Sequence, residues 1–318
     1  MDNLSNYEGS AYEFAFLTAL EAEISPIRSV SVEKNGSYYA AQYKWNTLSA
    51  EEKKVYERSA VGGVRTLCKA EPLLTEDDGI LILKFQEDKK DDDGDVRDLL
   101  ISRGGTEWEI GLSISRSRLV AKRGLVSKTL DFGKRWFGLP CSLDYWNEIA
   151  SAFKTLKAAK AANMKWVEIP QMEREDNIYI PFLAAFAKEF QRLYKRHGSL
   201  FPQRIIAYML GRYAFYKVNR IDEDQTTQLV SFNFNGELNQ AGKSKPALSV
   251  PAVPLPTQII HLRFKPDSTD TLELYMNSGW QLSFRLNYTS VKVDVNMKID
   301  IEIINMPPEV TVIDGKWE

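Results

Sequence analysis

Two acidic residues, Asp98 and Glu109, lie on the two strands of a hairpin that the sequence predicts about one third of the way along the chain. The apolar runs VRDLLIS and EWEIGLSI are separated by RGGT, and Gly104-Gly105 is typical of a two-residue hairpin turn. With that turn, Asp98 lies opposite Gly111, and the carboxylates of Asp98 and Glu109 are diagonal neighbours on one face, roughly 7 Å apart at the backbone. Carboxylate oxygens at this separation suit a hard cation such as Mg²⁺. The hairpin therefore predicts a metal site.

A second interpretation needs no metal, because acidic residues are common on the solvent face of an amphipathic hairpin. Both interpretations share one expectation, which is that the other face of the hairpin packs against the core. Alternation along a strand assigns four apolar residues to that packed face: Leu99, Ile101, Ile110 and Leu112.

The order of predicted elements (helix, strand, acid-bearing hairpin, basic segment, helix) resembles the PD-(D/E)-x-K nuclease core. That resemblance implies a lysine two residues after the second acid, where this chain has Gly111. Glu107 could supply a third carboxylate, or a lysine from further along the chain could replace the missing one. Glu57 and Glu71 are further candidate carboxylates. The acidic run that ends at Asp95 lacks the ligand spacing of a calcium loop and is interpreted as a solvated loop.

A basic segment follows the hairpin. Between residues 116 and 135 there are seven basic residues and one acid, Asp131, so this segment carries +6 in a chain whose net charge is -2. A solvated basic loop would have the same composition, but a concentration of positive charge beside paired acids favours contact with nucleic-acid phosphates. The residues predicted to bind DNA are Arg116, Arg118, Arg123 and Lys128.

Composition restricts the remaining classes of protein. The 318 residues are 44% hydrophobic and 26% charged, which is typical of a globular chain. Cys68 and Cys141, together with His197 and His261, are too few for a disulfide framework or for a zinc site made of cysteine and histidine. No signal peptide or membrane span is predicted, and a cytoplasmic location is expected.

The pattern of apolar residues predicts an α+β protein. Helices are expected over 12–25, 49–70, 143–161, 180–196 and 201–217, and alternating strands over 258–318. The predicted domains are a nuclease core over 1–238 with helical insertions, a proline-rich linker over 239–257 and a β-rich C-terminal module over 258–318.

Five longer strings identify a closer resemblance that covers nearly the whole chain. GDVRDLLI, WEIGLS, KTLDFGKRWFGLPCSLDYWNEI, LGRYAFYKV and GWQLSFRLN are similar to the HaeIII-type type II restriction endonucleases. The resemblance implies Mg²⁺-dependent cleavage of double-stranded DNA within a short G+C palindrome, GGCC in the namesake enzyme. It also implies a cognate cytosine methyltransferase that protects the host, and a palindromic site favours a homodimer.

By position, the resemblance makes Asp98 and Glu109 the metal-binding pair, with Asp95 as an additional metal ligand, and leaves Lys122 as the candidate catalytic lysine. Two alternatives belong to other classes of protein. One is a catalytically silent, sequence-specific DNA-binding protein on a nuclease scaffold. The other is a ligand-binding β-module, residues 258–318, joined to a helical adaptor.

Overall fold

The computed structural model describes residues 2–76, 79–87, 95–115 and 121–317, and it describes side chains from residue 10 onward except that of Ser115. Two compact units divide the chain, and each is made of discontinuous segments. The first unit comprises Met1–Arg118, Arg212–Pro254 and Pro308–Glu318, and the second comprises Leu119–Gly211 and Leu255–Pro307. The predicted α+β class is confirmed. No helix in the described ranges combines the length and apolar character needed to cross a bilayer.

A seven-stranded mixed sheet forms the centre of the first unit, with strand order β1-β2-β3-β4-β6-β7-β12. β1 pairs with β2 in parallel, β4 pairs with β6 in parallel, and the remaining neighbours are antiparallel. The strands are β1 (Val30–Glu33), β2 (Leu81–Phe85), β3 (Leu99–Arg103), β4 (Glu109–Ser115), β6 (Phe215–Ile221), β7 (Thr226–Phe232) and β12 (Val312–Lys316).

Three helices cover one face of this sheet: α1 (Asp2–Ile24), α2 (Gly36–Asn46) and α3 (Ala50–Ala70). The predicted capping box starts α3, since the Ser49 hydroxyl accepts from the Glu52 N–H at 3.2 Å and the Ser49 N–H donates to the Glu52 carboxylate at 2.8 Å. The four apolar residues of the hairpin, Leu99, Ile101, Ile110 and Leu112, are fully buried in the core beneath these helices. The apolar face of the hairpin is therefore the predicted one, and its other face carries the polar residues.

The second unit is built on a five-stranded antiparallel sheet with strand order β5-β11-β10-β9-β8. Its strands are β5 (Ala121–Val126), β8 (Ile259–Phe264), β9 (Thr271–Met276), β10 (Gln281–Tyr288) and β11 (Met297–Asn305). Its helices are α4 (Phe132–Phe137), α5 (Leu143–Ala161), α6 (Gln171–Arg174), α7 (Ile180–His197) and α8 (Leu200–Leu210). Aromatic rings form its core, with Phe186 4.7 Å from Phe132 and 4.6 Å from Phe190 between centroids.

These units differ from the domain boundaries expected at residues 238 and 258. β5, from the middle of the chain, pairs along β11, so the C-terminal strands share a sheet with residues 121–126. β12 instead pairs with β7 in the first unit. The helix expected over 201–217 ends at Leu210, because Gly211 has a positive φ of 80° and the chain then enters β6.

Candidate active site

Asp98 lies at the entry to β3, on the polar face of the first sheet. Its backbone N–H donates to the Leu112 carbonyl at 2.7 Å, and its Oδ2 accepts the Ile114 N–H at 2.6 Å. Burial of the carboxyl raises the pKa of Asp98 to about 6, although the Ile114 N–H, the Lys217 ammonium and the Ser113 hydroxyl favour its ionised form. A positive charge placed beside this buried carboxyl would stabilise its ionised form.

The hairpin register differs by two residues from the predicted one. Ser102 lies opposite Glu109, because the loop holds four residues, 104–107, and is closed by the Arg103 N–H donating to the Trp108 carbonyl at 3.3 Å. The pairing ends at Leu99 opposite Leu112, and Asp98, one residue before Leu99, lies beside Ser113, whose hydroxyl hydrogen-bonds to its carboxyl. Asp98 and Glu109 are then separated by about 13 Å along the strands. The predicted diagonal pair of carboxylates is wrong in geometry, and Glu107 lies exposed in the loop.

A single guanidinium holds the other two predicted metal ligands. Arg97 Nη1 donates to Glu109 Oε1 at 2.7 Å, while its Nε and Nη2 donate to the two oxygens of Asp95, each at 2.8 Å. The guanidinium also lies over the Tyr213 ring, 4.1 Å from its centroid. The side chains of Arg97 and Asp95 are 7% and 9% exposed, whereas that of Glu109 is 39% exposed. Asp95 and Glu109 are therefore paired through Arg97.

The same arginine explains the glycine where the nuclease motif would have a lysine. A Cβ built on Gly111 would overlap Cδ of Arg97, which crosses directly above that residue. No side chain fits at position 111 while Arg97 reaches Glu109 and Asp95. The local E-x-K spacing is thus blocked by packing.

β6 contributes two polar residues to this face that the sequence analysis missed. Lys217 lies opposite Ser113 in the parallel β4–β6 pair and is 8% exposed. Burial lowers the pKa of Lys217, and the Asp98 carboxylate opposes that shift. Asn219 is 1% exposed, and neither atom of its side-chain amide has a hydrogen-bond partner among the described residues. In the string LGRYAFYKV, the alternation of Tyr216, Lys217 and Val218 between apolar and polar indicates a strand. The sequence analysis instead predicts a helix through Lys217.

Of the other predicted residues, three lie in the second unit and two lie outside the described ranges. Lys122, on β5, donates to the Tyr208 carbonyl at 2.9 Å, and its ammonium is 4.3 Å from the centroid of the Tyr208 ring. Arg123 pairs with Asp300 at 3.2 Å, and Lys128 is exposed. The residues that fall outside the described ranges are Arg116 and Arg118.

The donor set near Asp98 fits a hard cation in chemical type, because it consists of carboxylate oxygens. Asp95 is close enough to Asp98 for its negative charge to help raise the Asp98 pKa. Within residues 2–76, 79–87, 95–115 and 121–317, no three His, Cys, Asp or Glu side chains already converge as metal ligands. Any third ligand from this set therefore requires Arg97 to release a carboxylate.

An acid-bearing antiparallel hairpin followed by a parallel strand is the arrangement expected of a restriction-endonuclease-like core. Comparisons with known proteins agree. The family described as HaeIII restriction endonuclease matches residues 9–307. The chain is also 39% identical to the Type II restriction enzyme HaeIII of Haemophilus aegyptius over 319 residues, covering 100% of both chains. No solved structure matches.

The protein is thus a type II restriction endonuclease, a site-specific deoxyribonuclease that acts on DNA. The chain belongs to the HaeIII restriction endonuclease family. This membership favours the enzyme over the silent DNA-binding protein and over the ligand-binding module.

Proposed function

We propose that this endonuclease cuts both strands of duplex DNA within GGCC and requires Mg²⁺ for cleavage. The observation that carries the proposal is the Asp98 carboxylate, which is desolvated, held at 2.6 Å by the Ile114 N–H and adjacent to a second acid, Asp95. A desolvated carboxylate that a backbone N–H holds in one direction beside a second acid is suited to a hard cation, because Mg²⁺ prefers carboxylate oxygens as ligands. The choice of GGCC follows from the family resemblance.

Asp98 and Asp95 are the proposed metal-binding pair. Glu109 lies about 13 Å from Asp98 along the strands, so it becomes a third ligand only if it leaves Arg97 and the hairpin shifts toward Asp98. When bound there, Mg²⁺ would lower the pKa of a water molecule and neutralise charge on the leaving oxygen. The Ile114 N–H fixes the direction of the Asp98 carboxylate. Arg97 donates to both Asp95 and Glu109 in the free enzyme, and this pairing limits the cost of burying the Asp95 carboxylate.

DNA phosphates are the proposed partners of the basic segment, with Arg116, Arg118, Arg123 and Lys128 as the contacting residues. Each phosphate neutralised by such a side chain releases counterions, so binding should weaken as salt rises. A cognate cytosine methyltransferase, a homodimeric assembly on the palindrome and a cytoplasmic location complete the proposal.

The test is digestion of two matched plasmids, one with mapped GGCC sites and one from which every GGCC has been removed. With Mg²⁺, we expect discrete fragments that end at the mapped sites of the first plasmid and no cutting of the second. Prior methylation of the cytosines in GGCC, or addition of chelator, should protect the first plasmid. Cutting of the GGCC-free plasmid would contradict the proposed sequence, and cutting in chelator would contradict the proposed metal requirement.

A further inference from the structure

The active-site face contains a cation that neither the nuclease motif nor the basic segment supplied. Hydrolysis of a phosphodiester adds negative charge to the oxygens around phosphorus in the transition state, and a positioned cation stabilises that charge. Arg97 is already occupied by Asp95 and Glu109. Lys122 lies in the second unit, where it donates to the Tyr208 carbonyl. Among the described residues of the first unit, Lys217 is the cation whose charge acts directly on Asp98.

The pairing of three adjacent strands places Lys217 next to Asp98. The Asp98 carboxyl is hydrogen-bonded to the Ser113 hydroxyl and lies within the field of the Lys217 ammonium, and the parallel β4–β6 register puts Ser113 opposite Lys217. Asp98, Ser113 and Lys217 therefore form one row across the sheet on its polar face. A lysine on β6 can reach the acid without any side chain at Gly111, where Arg97 occupies the space.

Asn219 gives an independent indication that this part of β6 meets a ligand. It lies two residues beyond Lys217, on the same face of the strand, because side chains alternate along β6. The amide is 1% exposed, and neither of its polar atoms has a hydrogen-bond partner within the described part of the chain, an arrangement that costs stability unless something hydrogen-bonds to it. A phosphate oxygen or an ordered water bound beside Lys217 would accept from its amide nitrogen.

We propose that Lys217 is the catalytic lysine of this endonuclease, supplied by the strand parallel to β4 and not by the hairpin. Its ammonium orients the attacking water beside Asp98 and stabilises the charge that develops on the phosphate. In the reaction, the water oxygen forms a bond to phosphorus and gives up a proton to solvent. One phosphorus–oxygen ester bond breaks, and the departing oxygen takes up a proton, so that one water is added in total. This inference rests on the proposed metal-dependent cleavage.

The experiment compares Lys217→Met with wild-type enzyme in single-turnover cleavage of plasmid DNA, with enzyme in excess. We expect the methionine variant to cut about 100-fold more slowly or worse, since it keeps most of the length of the side chain and loses its charge. Its affinity for the same DNA, measured with Ca²⁺ in place of Mg²⁺, should stay close to wild type. Lys316→Met is the matched control: Lys316 is on β12 of the same sheet, donates to the Thr226 hydroxyl at 2.9 Å, and should not affect the rate.

The possible outcomes separate the two proposals. A Lys217→Met enzyme that folds and cuts at the wild-type rate would overturn the role of Lys217 and leave the proposed function intact. Failure of wild-type enzyme to cut GGCC with Mg²⁺ would overturn the proposed function itself. If thermal unfolding shows that Lys217→Met does not fold, Lys217→Arg decides, because it keeps the charge that compensates Asp98. A cleavage rate about tenfold lower with unchanged affinity would then support the inference, and a wild-type rate would overturn it.

Discussion

Charge compensation separates the acids of the active-site face into two groups. Arg97 pairs with Asp95 and Glu109, while Lys217 acts on Asp98 from β6, on the far side of β4. Residue types and spacing identified these three acids as candidates but could not assign their partners. Arg97 lies between two of the acids in sequence, yet its direction depends on the absence of a side chain at Gly111.

Lys122 provides a test at the scale of one residue. Its ammonium donates to the Tyr208 carbonyl and lies over the Tyr208 ring. We expect Lys122→Ala to lower the stability of the enzyme by about 1–2 kcal/mol, because a hydrogen bond and a cation–π contact are lost. Tm should fall by a few degrees, and the single-turnover rate should remain close to wild type. A rate about 100-fold lower at unchanged Tm would instead support the role that the sequence assigned to Lys122.

Among the helices and strands, sequence patterns predicted the packed face of the hairpin and the start of α3, but not the hairpin register or β6. Alternation identified the packed face of the hairpin, since Leu99 and Ile110 are both fully buried. The capping box identified the start of α3. The register failed because Gly104-Gly105 is compatible with a loop of two residues or of four, and local sequence does not distinguish them. β6 was missed because its first residues continue the apolar spacing predicted for the preceding helix, although Tyr216, Lys217, Val218 and Asn219 alternate between apolar and polar.

Gly111 and Gly104 give a matched pair of substitutions within the same hairpin. Gly111→Ala should displace Arg97 from both acids and lower stability by about 1–3 kcal/mol through overpacking, with a loss of cleavage. Gly104→Ala should change stability by less than about 0.5 kcal/mol, because its Cβ would be 3.6 Å from the nearest atom. Urea unfolding of both variants measures the difference. Equal stabilities would show that Arg97 does not lie across Gly111.

At the scale of the whole molecule, each of the two units is assembled from segments that are far apart in the sequence. The connection from β4 to β6 passes through residues 119–211, and the C-terminal strand returns to the first sheet as β12. Local composition and apolar periodicity predicted domains that each occupy one continuous stretch of sequence. These patterns contain no information on which distant strands pair. The fold class could be predicted from the sequence, but the division of the chain into units could not.

Glu71 ties together three parts of the first unit that are far apart in sequence. It follows α3, its Oε1 accepts from the Tyr216 hydroxyl at 2.7 Å and from the Asn239 N–H at 2.6 Å, and it is fully buried. Tyr216 points to the helix-covered face of β6, opposite the face of Lys217. Glu71 is therefore not a further ligand beside Asp98, although the sequence analysis raised that role.

Burial raises the pKa of Glu71 to about 7, although the Tyr216 and Asn239 donors favour its charged form. The folded state then holds a proton that the unfolded state releases above pH 4.5, the ordinary value for this group. The associated stability is present below that pH and is lost as the pH rises through 7, by at most about 3 kcal/mol. We expect urea unfolding between pH 5 and pH 8 to show this loss in wild type and not in Glu71→Gln. Parallel curves for the two proteins would contradict the prediction.

The central claim is that cleavage depends on the Asp98 carboxylate. The most direct measurement is single-turnover cleavage of a duplex with one GGCC site, in Mg²⁺, by wild type and by Asp98→Asn, with DNA affinity measured in parallel. Asp314→Asn, a change on the edge strand β12 where Asp314 accepts from Gln228, is the control. We predict a rate about 1000-fold lower or worse for Asp98→Asn with affinity retained, because the neutral amide keeps the shape and loses the charge. A wild-type rate for a folded Asp98→Asn enzyme would contradict the claim.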